Sequence, residues 1–300
     1  TITGNPMAPF SVLGSLRKKL ITALEDLVIS RPSRQRTKDV TSAVQKIVST
    51  VSSKNTSEQS RSIEPTLHVM VRTLKQLKGV LHLGEKNLLA DFSDIRHYRE
   101  AVELAKQDNA QLFIATPRIQ KPSEMGIFTS LAKCDPAGVL VRNFSGLEYF
   151  REKGIPVTAD FSFNATNPLT VDFFEKQGVE RIAVSYDCNR EQLVHLTSAV
   201  AGNLLEVVIH QHMPMFHMEH CVFCSVLSPG TDKTNCGRPC DDHVVQLRDR
   251  IAVDHLLTAD VGCRNTLFNA VPQSGAEVVT QLINKGVKHL RIEMLNQSQE

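Results

Sequence analysis

The 300-residue chain has no tryptophan, and it carries only 3 tyrosines and 13 phenylalanines. Its core must therefore lean on Leu, Val and Ile, and no aromatic platform for stacking nucleotide bases is visible. No apolar run reaches the roughly 18 residues that a membrane-spanning helix needs. The leading residues Thr-Ile-Thr-Gly-Asn lack a charged stretch followed by an apolar one, so no secretory signal is visible. A cytoplasmic location is expected, or an organelle in a eukaryote. The first residue is not Met, and Leu290-Arg-Ile-Glu-Met-Leu reads as a strand cut short, so a fragment of a longer chain is expected. Several chemistries lack their motifs. There is no Gly-x-Gly-x-x-Gly and no Gly-Lys-Ser/Thr for phosphates, no His-Glu-x-x-His for a zinc peptidase, and no Gly-x-Ser-x-Gly nucleophile elbow. Seven cysteines, an odd number, without a secretory signal argue against a disulfide framework.

What is present is unevenly placed. Net charge is only +2, yet residues 1–66 carry ten Lys/Arg against five Asp/Glu. A basic leading segment suits either a polyanion partner or a solvated helix face. Within it, Leu13, Leu16, Leu20, Ile21, Leu24 and Leu27 recur at helix spacing over residues 9–30, with Arg17, Lys18 and Lys19 opposite them. Pro32 limits that helix, and a second short one is expected before residue 48. Eight of the fourteen residues from Ser49 to Ser62 are Ser or Thr, which reads as a linker. The expected organisation is a basic helical segment over 1–48, a linker over 49–65 and a domain over 66–300.

Beyond Pro65, apolar β-rich runs alternate with helix-like segments. The runs are Leu67–Val71, Leu88–Phe92, Leu112–Ala115, Val139–Val141, Val157–Phe161, Ile182–Ser185 and Leu205–Ile209. The helical segments include Tyr98–Gln107, Leu147–Lys153, Leu169–Gln177 and Glu191–Ala199, with Gly154 and Gly178 placed as helix stops. Strand then helix, repeated, predicts a parallel α/β architecture, and a TIM-type barrel, complete or partial, fits it best. Chemistry in such a barrel sits at the C-terminal strand ends. Arg118, Arg142, Asn143, Asp160, Ser162, Asn164, Ser185, Asp187, His210 and His212 fall there and predict a polar pocket. His210 and His212 would share one strand face as substrate-orienting groups or as caps of the barrel.

Residues 206–269 hold five of the seven cysteines, and four of the eleven histidines lie within 210–220. Cys221-x-x-Cys224 followed by Cys236-x-x-x-Cys240, with Cys263 further on, suits either a zinc site or an iron–sulfur cluster, with five candidates for four places. Gly230, Gly237 and Pro239 supply turns, and Arg238 would offset thiolate charge. Cys134 and Cys188 stand alone and read as small buried hydrophobes.

The chain resembles the collagenase-like peptidase U32 family. The residues that carry this are Asp160-Phe-Ser-Phe-Asn164-Ala-Thr-Asn167, Leu205-Glu206-Val-Val-Ile-His210, Met218-Glu-His220-Cys221, Cys236-Gly-Arg-Pro-Cys240, Leu247-Arg-Asp-Arg250 and Gly262-Cys263-Arg-Asn-Thr-Leu-Phe-Asn269. Leu13-Gly-Ser-Leu-Arg17-Lys-Lys-Leu is similar to the extra domain of longer, RNA-hydroxylating members. The resemblance implies a TIM-like barrel and a [4Fe–4S] cluster on Cys221, Cys236, Cys240 and Cys263, leaving Cys224 a bystander. It implies oxygen-independent hydroxylation, in some relatives of ubiquinone precursors and in others of a pyrimidine in transfer or ribosomal RNA, with prephenate as an implicated oxygen donor. Tyr186-Asp187-Cys188 departs from the pattern of relatives. On this reading the chain is an RNA hydroxylase in which Asp160, Asn164, His210 and His212 orient the base and structured RNA is the partner. The alternatives are a peptidase and a non-catalytic zinc-stabilised module using Cys221, Cys224, Cys236 and Cys240.

Overall fold

The computed structural model describes residues 9–30, 39–53 and 64–297. The contacts divide the chain into two units, Thr1–Lys46 and Ile47–Glu300. The first holds α1 (Phe10–Ile29), as the leucine spacing predicts, and the first half of α2 (Val40–Ser53). No residue of α1 is buried. Because α2 runs to Ser53, residues 49–53 of the segment read as linker are helical. Residues 31–38, with their arginines and Pro32, and 54–63 lie outside the described residues, as do 1–8 and 298–300.

The second unit is a closed barrel of eight parallel strands. Its first strands are β1 (Thr66–Val71), β2 (Asn87–Ala90), β3 (Gln111–Ala115), β4 (Gly138–Val141), β5 (Val157–Ala159), β6 (Arg181–Ala183) and β7 (Leu205–Gln211). An insertion then carries β8 (Pro214–Met218), β9 (Val245–Arg248), β10 (Asp254–Ala259), β11 (Asn265–Phe268) and β12 (Gln273–Ser274), before β13 (His289–Glu293). β13 pairs in parallel with both β7 and β1, and this closes the ring. The terminal stretch that reads as a truncated strand is thus the closing strand, engaged on both edges. The barrel is complete within the described residues.

Helices α3 (Leu74–His82), α4 (His97–Gln107), α5 (Met125–Ala132), α6 (Phe144–Glu152), α7 (Pro168–Lys176) and α8 (Arg190–Ala199) each follow one of the strands β1 to β6. Local chemistry starts them. Thr73, Asn143, Asn167 and Asn189 accept backbone N–H groups at the N-termini of α3, α6, α7 and α8. Gly154 and Gly178, both with positive φ, follow α6 and α7 as the sequence predicts.

The strand runs look uniformly apolar in sequence, but their residues divide by period two. Val69, Val71, Leu88, Leu112, Ile114, Val139, Val141 and Val157 face outward into the main core with the helices. Met70, Leu89, Phe113, Ala115 and Leu140 form a separate small cluster in the lumen. Most of the remaining lumen is filled by ion pairs, with a histidine pair at one end.

Between β7 and β13 the insertion folds as its own antiparallel sheet, ordered β8-β11-β10-β9. It carries the short helices α9 (Val222–Leu227) and α10 (Pro239–Asp242), and α11 (Val279–Asn284) follows β12. Its small core is Phe223, Leu257 and Leu267, with Cys221 and Cys240 packed against them. The chain then returns to its point of departure, where β12 pairs antiparallel with His210 and Gln211 at the end of β7.

Candidate functional site

The barrel lumen is threaded by ion pairs. Arg142 donates from both terminal nitrogens to Asp91 at 2.9 and 3.0 Å, and from Nε to Asp160 at 2.8 Å. Asp160 also accepts from Arg291 at 2.7 Å. Arg291 reaches Glu206 at 3.3 Å and Glu293 at 3.4 Å, and Arg181 donates to Glu206 at 3.1 Å. Arg72 bonds Asp91 and donates to Glu293 at 3.0 Å. The guanidiniums of Arg72, Arg142, Arg181 and Arg291 thus meet the carboxylates of Asp91, Asp160, Glu206 and Glu293. Burial alone would raise Asp91, but Arg142 and Arg72 outweigh it and hold the carboxyl well below the usual range. Asp160 and Glu206 are likewise opposed by burial and lowered by Arg291 first.

At the far end of the lumen His68 Nε2 lies 2.9 Å from His289 Nδ1. Burial lowers these two rings to about 4 and about 3, so both are neutral near pH 7.

At the C-terminal strand ends the network opens into a cavity of about 420 Å³. Its floor includes Arg72, Asp91, Arg118, Arg142, Phe161 and Glu293 from the barrel. Its roof is the inserted sheet, with His217, Phe223, Cys240, His243, Asp260, Thr266 and Phe268. Arg72 lies over the Phe268 ring at 5.0 Å and Arg118 over Phe161 at 5.4 Å. The polar pocket expected from the strand ends is therefore present, and the cysteine-rich insertion covers it.

The roof is tied down by Arg264, which is 1% exposed. Its guanidinium donates to Glu124, between β3 and α5, at 2.9 and 3.0 Å, and to Glu219 at 2.6 Å. A Cβ on Gly262 would stand 2.2 Å from Arg264 Nη1, so only glycine lets this side chain pass. Three buried polar atoms of cavity-lining residues have no hydrogen-bond partner, Arg72 Nε on the floor and His217 Nε2 and Asp260 Oδ2 on the roof. The His217 ring is fixed from behind, where Nδ1 lies 2.9 Å from Thr266 Oγ1. Burial, then Arg118, Arg142 and Arg264, lowers His217 to about 4. Burial raises Asp260 to about 6, although Oδ1 accepts N–H groups from Gly262 and Arg264.

The cysteines gather beside this roof. Cys221 Sγ accepts the Cys224 N–H at 3.4 Å and the Asn265 Nδ2 at 3.7 Å. Cys236 Sγ accepts the Arg238 N–H at 3.4 Å, from a turn in which Gly237 and Arg238 are both left-handed. Cys263 is left-handed too, in a turn where its N–H donates to the Asp260 carbonyl at 3.0 Å. Burial raises the Cys240 thiol to about 11, and the neighbouring charges that act on it include Asp241, Arg238, Cys221 and Cys263. Cys263 is raised by burial, then by Cys221, with Cys236 also contributing. Cys224 is buried, donates to the Gly230 carbonyl at 3.5 Å and is influenced by Cys236 and Cys221. Among the described residues, no three His, Cys, Asp or Glu side chains converge as a ready-made metal shell. Of the cysteines, Cys240 alone is on the cavity wall.

The residues singled out in the sequence fall in different places. Arg118 and Arg142 line the cavity, and Asp160 lies fully buried beneath it as the counter-ion of Arg142 and Arg291. Asn164 is exposed, in a left-handed turn closing a short 3₁₀ segment. β7 ends at Gln211, so His212 lies just beyond the strand that was expected to carry it with His210. His212 Nδ1 is 2.8 Å from the Asn269 carbonyl and Nε2 is 3.0 Å from Gln297. His210 lines a separate groove of about 410 Å³ with Ser185, Tyr186 and Cys188. Asn143 caps α6, and Ser162 donates to the Arg142 carbonyl at 2.8 Å. Cys134 and Cys188 are half-buried rather than fully buried, because each sits at the edge of the main core.

The sequence profile of peptidase family U32 matches residues 79–300. No curated protein sequence matches the chain. Among solved structures, the chain is similar to the YdjI aldolase from Escherichia coli K12. That match has 15% identity over 55% of this chain and 71% of the aldolase, with a TM-score of 0.37. A glycerol uptake operon antiterminator-related protein from Thermotoga maritima MSB8 is 12% identical, over 49% of this chain and 82% of its own, with a TM-score of 0.35. An uncharacterized B. cereus protein is 11% identical, over 78% of this chain and 100% of its own, with a TM-score of 0.31.

Proposed function

We propose that this chain, which belongs to peptidase family U32, is an iron–sulfur enzyme that hydroxylates a pyrimidine base of structured RNA without molecular oxygen. One observation carries this reading. Cys240 lines the same cavity as the barrel's Arg72, Asp91, Arg118 and Arg142, so a group held by the cysteines would border the space that receives a substrate. Cys221, Cys236, Cys240 and Cys263 would hold a [4Fe–4S] cluster. The donor chemistry fits, because all four ligands are thiols and N–H groups already point at the sulfurs of Cys221 and Cys236. Such a cluster, when bound, supplies electron transfer beside the cavity.

The chain's own groups supply binding and orientation. Phe161 and Phe268 bring aromatic rings to the cavity wall, and the guanidiniums of Arg118 and Arg72 that lie over them offer planar surfaces to a base. The two rings come from β11 and from the turn after β5, which is why no platform is visible in the sequence. His217 Nε2 and Asp260 Oδ2 offer unspent hydrogen-bonding positions to the polar edge of a ring. The roof, clamped by Arg264, covers the space beneath it. Asp160 acts through Arg142, which it positions on the floor. The basic residues of α1, Arg17, Lys18 and Lys19, would add salt-sensitive phosphate contacts.

Proteolysis has less support. Cys188 and His210 share a groove, but burial and then Asp187 raise the Cys188 thiol, the reverse of what a thiolate nucleophile requires. Ser185 Oγ bonds Asp187 at 3.2 Å rather than a base.

Anaerobic purification with absorption spectroscopy, followed by mass spectrometry of RNA incubated with the enzyme, tests the proposal. A brown chain whose broad visible band is lost in Cys263→Ala and kept in Cys224→Ala, together with a new hydroxylated pyrimidine, is the expected result. A colourless chain holding one zinc through Cys224 would favour the binding-module alternative.

A further inference from the structure

The charged groups around the cavity are not equally engaged. Arg72 and Arg142 reach its floor, but Asp91, Asp160 and Glu293 already neutralise them. Arg264 above is neutralised by Glu124 and Glu219. Arg118 differs, since it has no carboxylate partner among the described residues. Its guanidinium is not loose, because it lies over the Phe161 ring at 5.4 Å, on the wall of the cavity. Phe161 is itself packed against Tyr186, with ring centroids 4.6 Å apart. A cation stacked on a supported ring keeps its N–H edge free for a planar anion.

His217 borders the same space from the roof. Its Nδ1 is engaged by Thr266 Oγ1, and its Nε2 is buried with no partner. The charges acting on this ring are Arg118, Arg142 and Arg264 on one side and Asp91 on the other. Three of these four charges are cationic, so an anionic oxygen would be drawn toward Nε2.

We propose that Arg118 and His217 form an anion subsite that binds one carboxylate or phosphate group of the molecule entering the cavity. Arg118 supplies the charge and a forked pair of N–H donors. His217 supplies a single neutral N–H from Nε2 once Nδ1 accepts the Thr266 hydroxyl. The anion would sit between floor and roof, and the remainder of the molecule would extend toward Phe268 and Cys240. Carboxylate and phosphate share this chemistry, and they separate by experiment. The subsite rests on the reading of this cavity as the active site, but its test needs no turnover.

Inorganic phosphate, benzoate and neutral benzamide are titrated by calorimetry into the full 300-residue chain, purified anaerobically. The same titrations are made on Arg118→Gln, His217→Ala and the distant control Arg151→Gln. The expected result is that benzoate or phosphate binds the unaltered chain and the control equally, while benzamide does not. Whichever anion binds identifies the group. Loss of one charge-assisted pair weakens that anion about ten-fold or more in Arg118→Gln. The His217→Ala chain weakens it by a smaller factor. Circular dichroism confirms that each variant is folded, and Arg118→Lys, which keeps the charge, restores part of the affinity. Failure of both anions to bind the unaltered chain overturns the subsite, and so does equal binding to a folded Arg118→Gln. If an anion binds through Arg118 but no RNA base is hydroxylated, the hydroxylation reading fails and the subsite stands. If hydroxylation proceeds unchanged in Arg118→Gln and no anion binds, the subsite falls and that reading survives.

Discussion

In the barrel lumen Asp160 is fully buried between two guanidiniums at 2.7 and 2.8 Å, and each ion along the lumen has a counter-ion. In the roof the arrangement differs. Arg264 is clamped, but His217 Nε2 and Asp260 Oδ2 are buried without partners, and the thiols lie beside them. The lumen charges are matched to one another, although Arg72 Nε, Arg181 Nη2, Glu206 Oε1 and both Nε and Nη1 of Arg291 make no hydrogen bond, whereas the unmatched His217 and Asp260 atoms of the roof belong to residues that line the cavity. The difference teaches where to look for function. A strongly perturbed carboxylate at a barrel strand end can be a structural keystone, whereas unspent polar atoms facing a cavity are the ones left for a ligand.

The largest way to break this comparison is to open the lumen. Asp160→Asn leaves Arg142 and Arg291 sharing a buried site without their common anion. A loss of about 3–5 kcal/mol in unfolding free energy is expected, read by urea denaturation. A loss of activity with unchanged stability would instead return Asp160 to a direct role at the substrate. Next, Cys263→Ala should abolish the visible band of the anaerobic protein and leave the barrel folded by circular dichroism, while Cys224→Ala should spare the band. The pair sharpens which thiols of the roof act together.

Acid gives a third test, of intermediate size. His68, His217 and His289 hold their folded values at about 4, about 4 and about 3, against 6.5 in the unfolded chain. Between those values the unfolded chain binds more protons, so stability rises with pH across the window and is lost as pH falls from 6.5 toward 4. The sum is on the order of a few kcal/mol. Denaturant midpoints at several pH values measure it, and replacing His68 and His289 together by Gln should flatten most of the slope. Asp91, Asp160 and Glu206 are held below their usual values, whereas Asp260, raised to about 6, binds its proton more tightly in the folded chain and offsets part of the histidine slope.

The smallest effect is expected at the rim. Lys121 and Glu219 pair at 2.5 Å, each about half exposed, and Lys121→Ala should change stability by less than about 1 kcal/mol. Glu124→Gln, which removes a partner of the buried Arg264, should cost about 1–3 kcal/mol and speed hydrogen exchange in β10 and β11 before β1 and β2.

Much of the barrel is legible in the sequence. Seven apolar runs mark β1 to β7, and Gly154 and Gly178 mark helix ends, because these signals are local. The roof is not legible, because its sheet pairs β11 with β8, Thr266 with His217, across a long interval of chain. His217, Asp260 and Phe268 therefore have no neighbour in the sequence that announces them. Arg142 was visible as a strand-exit residue, but that its partner is Asp91 depends on how far apart in the chain two lumen-facing positions stand. Met70 and Val71 look like neighbouring positions of one apolar strand until the ring closes and gives its two faces different surroundings.

The inserted sheet leaves the barrel at the end of β7, and β12 brings it back to His210 and Gln211 of that same strand. Its entry and exit therefore share a single doorway. Lengthening, shortening or replacing the stretch from 212 to 272 need not shift the register of any of the eight strands. A lineage could exchange the whole covering, thiols and all, as a cassette and keep the arginine-lined floor beneath it. Diversity of substrate within such an architecture would then be written in one contiguous segment of gene.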